Sequence, residues 1–286
     1  MPWINGHIHV SHPREPWDEQ TPDIIVQATL NRMKGKKGTP DRAAYAAAKR
    51  EFNLDAAAEI VERCLRRDAV DSVIAQVIAE VVHTGTLPRL VLPHPAFDDE
   101  DGGAAAVSGG DRPVNALPFA YANLIKVRTN CEVDEEIVQA ARVGRTKLTK
   151  FQRFLYQPTF GGTVRAGQSY ILVDDAVTTA GTLAALRSYI VRNGGRVLCC
   201  TTLANAAGQN QPFALRVQTR TVLAEAFEDR LEPFWRETVG HSDECLTEAE
   251  GRCLGEWCNE QKEDGSGLGD ELLQRLRARL DEVAAA

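Results

Sequence analysis

The stretch from Tyr170 to Leu203 limits the possible folds of this chain more than any other feature. Tyr170, Ile171, Leu172 and Val173 form a short apolar run of the kind that makes a strand buried on both faces. Two acids and a loop of small residues follow. From about Thr182 to Arg192 the apolar residues Leu183, Leu186 and Ile190 then recur on one face of a helix. Gly194 and Gly195 stop that helix, and Arg196 to Leu203 supplies a second apolar strand. Strand, turn, helix and strand within about 35 residues make a βαβ unit, which builds parallel sheets. The fold class is α/β.

The chemistry sits at the turn of that unit. The first strand delivers Asp174 and Asp175 to the carboxyl edge of the sheet, where open α/β sheets bind ligands. The loop then opens a helix, whose N-terminus presents unpaired N–H groups and about half a positive charge to an anion. Hydroxyls of Thr178, Thr179 and Thr182 add donors, while Ala180 and Gly181 let a ligand approach the backbone. An acid pair beside a phosphate cradle suits a sugar phosphate. The two carboxyls are expected to diverge, one toward the ligand and one toward solvent or a neighbouring backbone. The bland alternative makes them strand-end acids that cap the next helix.

The run from Tyr170 to Thr182 resembles the ribose-phosphate signature of type I phosphoribosyltransferases. The resemblance extends upstream through Phe160 to Gly167 and downstream through Gly194 to Val197. It is looser over Pro88 to Ala224. It implies a type I phosphoribosyltransferase-like parallel sheet core with helices on both faces, and a hood that holds the acceptor. It also implies phosphoribosyl pyrophosphate with Mg2+ as donor. On that resemblance Asp174 and Asp175 are catalytic and hold the ribose hydroxyls, directly or through magnesium-bound water. Residues Thr178, Thr179, Ala180, Gly181 and Thr182 bind the 5′-phosphate. Pro93 and His94 fall where the family binds pyrophosphate, and Arg142, Arg145, Lys147 and Arg153 fall in its mobile lid. Ala180 stands where the family commonly has glycine, which predicts a backbone there that avoids positive φ. The implied activity is transfer of 5-phosphoribosyl to a nitrogenous acceptor, a nucleobase or related heterocycle, with release of pyrophosphate. A non-catalytic sensor of the same donor, or another pyrophosphate-releasing or phosphate-transferring enzyme, are the rival readings. The implied partners are small molecules, with homodimerisation left open.

The remaining sequence is organised around this core. Residues 1–86 read as an N-terminal extension, irregular at first, with a short helix near Asp23 to Asn31 and an Ala-rich helical stretch from Asp41 to Val82 broken at Arg66 to Asp68. Gly85 ends that stretch. Arg89 to Pro93 reads as a buried strand, Asp98 to Asp111 as an acidic surface loop, and Pro118 opens a helix. Glu136 to Ala141 is a strand or helix, and Arg142 to Gly162 a long basic loop. The phosphoribosyltransferase-like core spans 87–224. Beyond it, 225–286 is a helical C-terminal extension in which a Gly/Ser linker, Gly265 to Gly269, precedes a last helix from Asp270 to Val283.

Composition narrows the function classes. The 286 residues are 43% hydrophobic and 26% charged, as in a globular protein. The net charge of −7 argues against a nucleic-acid coat or a polybasic membrane surface. No apolar run approaches the ~20 residues that span a bilayer, and no secretory signal is visible at Met1. Seven cysteines, an odd number without a regular framework, suit a reducing cytoplasm. His7, His9 and His12 lack the further ligands of a histidine metal site. The cluster of His241, Cys245, Cys253 and Cys258 lacks zinc-knuckle spacing and reads as buried helical thiols. Lys34, Lys36 and Lys37 read as a solvated basic loop.

Overall fold

The computed structural model describes residues 3–4, 7–8, 13–94, 115–141, 148–263 and 267–285. In chain order its elements are β1 (Trp3–Ile4), β2 (His7–Ile8), β3 (Ile25–Thr29), α1 (Leu30–Lys34), α2 (Pro40–Arg50), α3 (Leu54–Cys64), α4 (Arg67–Thr84) and β4 (Arg89–Val91). Then come α5 (Leu117–Thr129), β5 (Val138–Ala141), α6 (Gln152–Leu155), β6 (Thr159–Gly161), β7 (Ser169–Ala176), α7 (Gly181–Arg192) and β8 (Arg196–Asn205). The chain finishes with α8 (Val217–Phe227), α9 (Leu231–Val239), a single 3-10 turn at Asp243–Cys245, α10 (Glu248–Glu263) and α11 (Asp270–Ala285).

A four-stranded sheet in the order β3-β8-β7-β4 forms the centre, and every pairing in it is parallel. The expected βαβ unit is β7-α7-β8. Alternation along β7 assigns its two faces. Ile171 and Val173 pack into one core with α3, α4 and α5, while Tyr170 and Leu172 pack into another with Leu183, Leu186 and Ile190 of α7. The sheet is thus covered on both sides, which is why its strands read as unbroken apolar runs.

Several local expectations meet a different outcome. The short helix near Asp23 to Asn31 is instead β3 followed by α1, because Ile24, Ile25 and Val26 are buried against the sheet, where β-branched residues pack well. The N-terminal segment is therefore part of the sheet and not an extension beside it. The C-terminal boundary expected at residue 224 falls inside α8. Glu136 to Ala141 resolves as β5, and the long loop after it contains α6 and β6, which pairs antiparallel with β5. The helical stretch from Asp41 has a second break at Glu51 to Asn53, where Phe52 takes a positive φ.

Other signals act as the local chemistry dictates. Gly85 caps α4 at φ 72°, and Pro118 lies in the first turn of α5. The acidic loop from Asp98 to Asp111 lies outside the described residues. The C-terminal helices have their own core, in which Phe154, Phe227, Trp235, Leu254, Leu276 and Leu280 are buried together.

Candidate functional site

The carboxyl edge of the sheet opens into a cleft of about 310 Å³. Its floor is the stretch from Asp174 to Leu183, and its walls come from Leu30, Met33 and Lys34 of α1, Tyr45 and Lys49 of α2, and Arg153 of α6. The five residues Thr178 to Thr182 expected to form a cradle all line it. Arg153 Nη1 donates to Thr178 Oγ1 at 2.6 Å.

The acid pair belongs to β7 itself. Strand parity places Asp175 on the face of the N-terminal helices, and there Lys49 of α2 pairs with it. The carboxyls do not diverge as expected. Both line the cleft and hydrogen-bond one another, and Asp175 N–H donates to Asp174 Oδ1 at 2.8 Å. Burial pushes the Asp174 carboxyl well above the usual carboxylate range, and the neighbouring Asp175 charge adds to the rise. Burial acts the same way on Asp175, but the Lys49 ammonium outweighs it and holds that carboxyl low. In return Asp175 more than offsets the burial of Lys49 and raises its ammonium. The result is a raised acid beside a compensated ion pair. Thr202, opposite Asp174 in register, has a buried hydroxyl without a partner.

The loop between β7 and α7 corrects the expectation for Ala180. Its φ is 59° and ψ 7°, in the left-handed region, and it is the N-cap of α7 without a side-chain cap. A left-handed residue followed by helical Gly181 curls successive N–H groups into a concavity that binds anions. The strain of an alanine there, on the order of 1–3 kcal/mol, is borne by contacts behind the loop. Thr247 Oγ1 donates to Thr179 O at 2.6 Å, and Arg14 Nη2 approaches Gly181 O at 3.5 Å.

The other predicted residues separate. Pro93 and His94 do not line the cleft. The ring of His94 is buried against Phe119 at 5.1 Å, and the backbone of His94 pairs with Gln139 N–H at 2.7 Å. Arg142, Arg145 and Lys147 lie outside the described residues. Lys34 lines the cleft, contrary to the solvated reading, while Lys36 and Lys37 are exposed. His9 and His12 lie outside the described residues. His241 is buried and bonded to Gln157 at 3.2 Å, and Cys245, Cys253 and Cys258 are buried in or beside the C-terminal core.

Sequence reasoning missed Tyr45, Lys49, Thr247 and Arg14. Tyr45 and Lys49 are four residues apart on one helix face, a spacing that brings them together but not one that names their target. Lys49 meets an acid 126 residues away.

The residues present do not fit a resident Mg2+. Divalent magnesium needs charged oxygen ligands. Here Asp175 is already paired with Lys49. Among the described residues no three His, Cys, Asp or Glu side chains are grouped to hold a metal.

No family model matches the chain. Protein TraN of Escherichia coli is 31% identical over 237 residues, which are 83% of this chain and 47% of that protein. The chain spans about half of that relative. An uncharacterized protein of Haemophilus influenzae is 38% identical over 78 residues, 27% of this chain and 17% of that protein. These findings overturn the phosphoribosyltransferase function implied by the signature. The relative that aligns over 83% of the chain carries the name Protein TraN and not that of a phosphoribosyltransferase. Transfer to a nitrogenous acceptor, sensing of the same donor, and the associated roles in glycosyl transfer, magnesium use and nucleotide metabolism are withdrawn with it. Pro93 and His94, placed by the signature where pyrophosphate binds, are not among the residues that line the cleft. Among the described residues no helix is long and apolar enough to cross a membrane.

Proposed function

We propose that the cleft is a binding site for a small phosphorylated ligand, and that this module contributes such a site to a TraN-like protein. The observation that carries the reading is the left-handed Ala180 leading into helical Gly181 in the lining of the cleft. That backbone offers several N–H groups to one anion, and the N-terminal end of α7 adds its partial positive charge. Arg153 and Lys34 supply full charges at the rim, of which Arg153 is fixed by its bond to Thr178. The raised Asp174 carboxyl repels an anion less than an ordinary carboxylate would, and Lys49 offsets the charge of Asp175. The acids at the floor therefore leave the cleft far less negative than two carboxylates would.

The sheet order and the position of the loop at the end of β7 also support a type I phosphoribosyltransferase-like core. Such a core carries no particular activity with it. Seven buried thiols support a reducing compartment, the cytoplasm.

Calorimetry with inorganic phosphate and with glycerol 3-phosphate tests the reading. The protein should bind the ester, and Thr182→Ala or Arg153→Ala should weaken binding roughly tenfold to a hundredfold, as expected for one bond to a charged group. Absence of binding by the unaltered protein, or undiminished binding by both variants, would place the function elsewhere.

A further inference from the structure

Three remote segments meet behind the cradle loop. Arg14, from the N-terminal segment, and Glu250, from α10, form a bidentate pair at 2.5 and 2.9 Å, and each side chain is 1% exposed. Arg14 also donates from Nε to Gln157 Oε1 at 3.1 Å and from Nη1 to Cys245 O at 3.3 Å. Nη2, which also donates to Glu250 Oε1, faces Gly181 O. Glu250 closes the start of α10 by accepting from Thr247 N–H at 3.0 Å, while its own N–H donates to Thr247 Oγ1 at 3.1 Å. The Thr247 hydroxyl spends its proton on Thr179 O, at 2.6 Å.

These bonds have a directional consequence. In a trans peptide the C=O and the following N–H point to opposite sides, and the described chain has no cis peptide. Anchoring Thr179 O on Thr247 therefore turns the Ala180 N–H away from Thr247. Ala180 lines the cleft. The same anchor holds the loop where an alanine must take a positive φ.

We propose that Thr247 is a positioning residue of the anion cradle, with the Arg14–Glu250 pair holding it in place, so that the C-terminal helices are part of the site. The proposal rests on the reading of the cleft as an anion site. Thr247 never touches the ligand. It sets the backbone that does.

The test uses the full chain with Thr247→Val, which keeps the shape and loses the hydroxyl, and Thr247→Ser, which restores it. Two readouts are taken: amide NMR shifts of residues 179–183, and affinity for glycerol 3-phosphate. In Thr247→Val the loop amides should shift while those of β3 and β4 stay in place, and affinity should fall about fivefold or more. Thr247→Ser should recover both. Unmoved loop amides with unchanged affinity would overturn the positioning role while leaving the cleft as an anion site. A general loss of amide dispersion that Thr247→Ser fails to recover would make Thr247 merely structural and also overturn it. Failure of the unaltered protein to bind the ester would sink the cleft reading itself, and with it any ligand role for Thr247.

Discussion

At the floor of the cleft, Lys49 and Asp175 neutralise one another while the Asp174 carboxyl is held well above the usual carboxylate range. Removing one partner of such a pair leaves an uncompensated buried charge. Lys49→Met should therefore destabilise the protein by about 1–3 kcal/mol, below the cost for a fully buried pair because the Lys49 side chain is 29% exposed. Adding Asp175→Asn should recover part of the loss in urea unfolding, and equal midpoints for the single variant and the unaltered protein would contradict this. His241 is the second electrostatic feature. Burial, aided by the nearby Arg14 charge, pushes its pKa down to about 3, against the favourable contacts of Ser242 O and Glu250. Its Nδ1 lies 2.8 Å from Ser242 O and its Nε2 faces the Gln157 amide, which assigns the neutral Nδ1–H tautomer. A base with a lowered folded pKa gives stability that is complete above its unfolded value and is lost as pH falls toward the folded one. The ordinary value is about 6.5, so the loss from this group should reach about 2 kcal/mol by pH 5. Unfolding at pH 7 and pH 5 should show that slope, and His241→Gln should remove this contribution.

The β7-α7 junction shows an element boundary placed by distant contacts. Helix α7 starts from a left-handed alanine, a conformation that β-branched residues adopt at still greater cost. Ala180→Val should destabilise the protein by about 1–3 kcal/mol, since the site is also buried and has little room for added methyls. Unchanged thermal unfolding would mean that the loop relaxes out of the left-handed region. Helix α3 starts conventionally. The Asn53 side chain accepts from Ala56 N–H at 2.9 Å. Asn53→Ala should cost about 1 kcal/mol in the same measurement.

Across the whole molecule, the N-terminal segment binds both halves of the structure. Strand β3 completes one edge of the sheet, and Arg14 reaches α7, α10 and the loop after α6 through Gly181, Glu250 and Gln157. Arg14→Ala strands a fully buried carboxylate and should cost about 3–5 kcal/mol. Guanidinium unfolding followed by tryptophan fluorescence reads this directly, because Trp235 and Trp257 report on the C-terminal core. A loss under about 1 kcal/mol would show that the pair is energetically idle.

The residues that could be read in sequence are those whose partners lie close along the chain. The apolar runs at Tyr170 and Val197, the helical spacing of Leu183, Leu186 and Ile190, and the stops at Gly85 and Gly194 express backbone preferences and periodicity that act over a few turns. They determined the βαβ unit, and with it the loop that lines the cleft. Tertiary structure decided the rest. Strand β3 was open to a helical reading until β8 offered it an edge to pair with. Local preference placed Ala180 at negative φ, and contacts from 68 and 167 residues away reversed it. The electrostatics of the acid pair waited on Lys49, 126 residues from Asp175. Such pairings form only when the core has closed the intervening loops, and their energy depends on a burial that no local window contains.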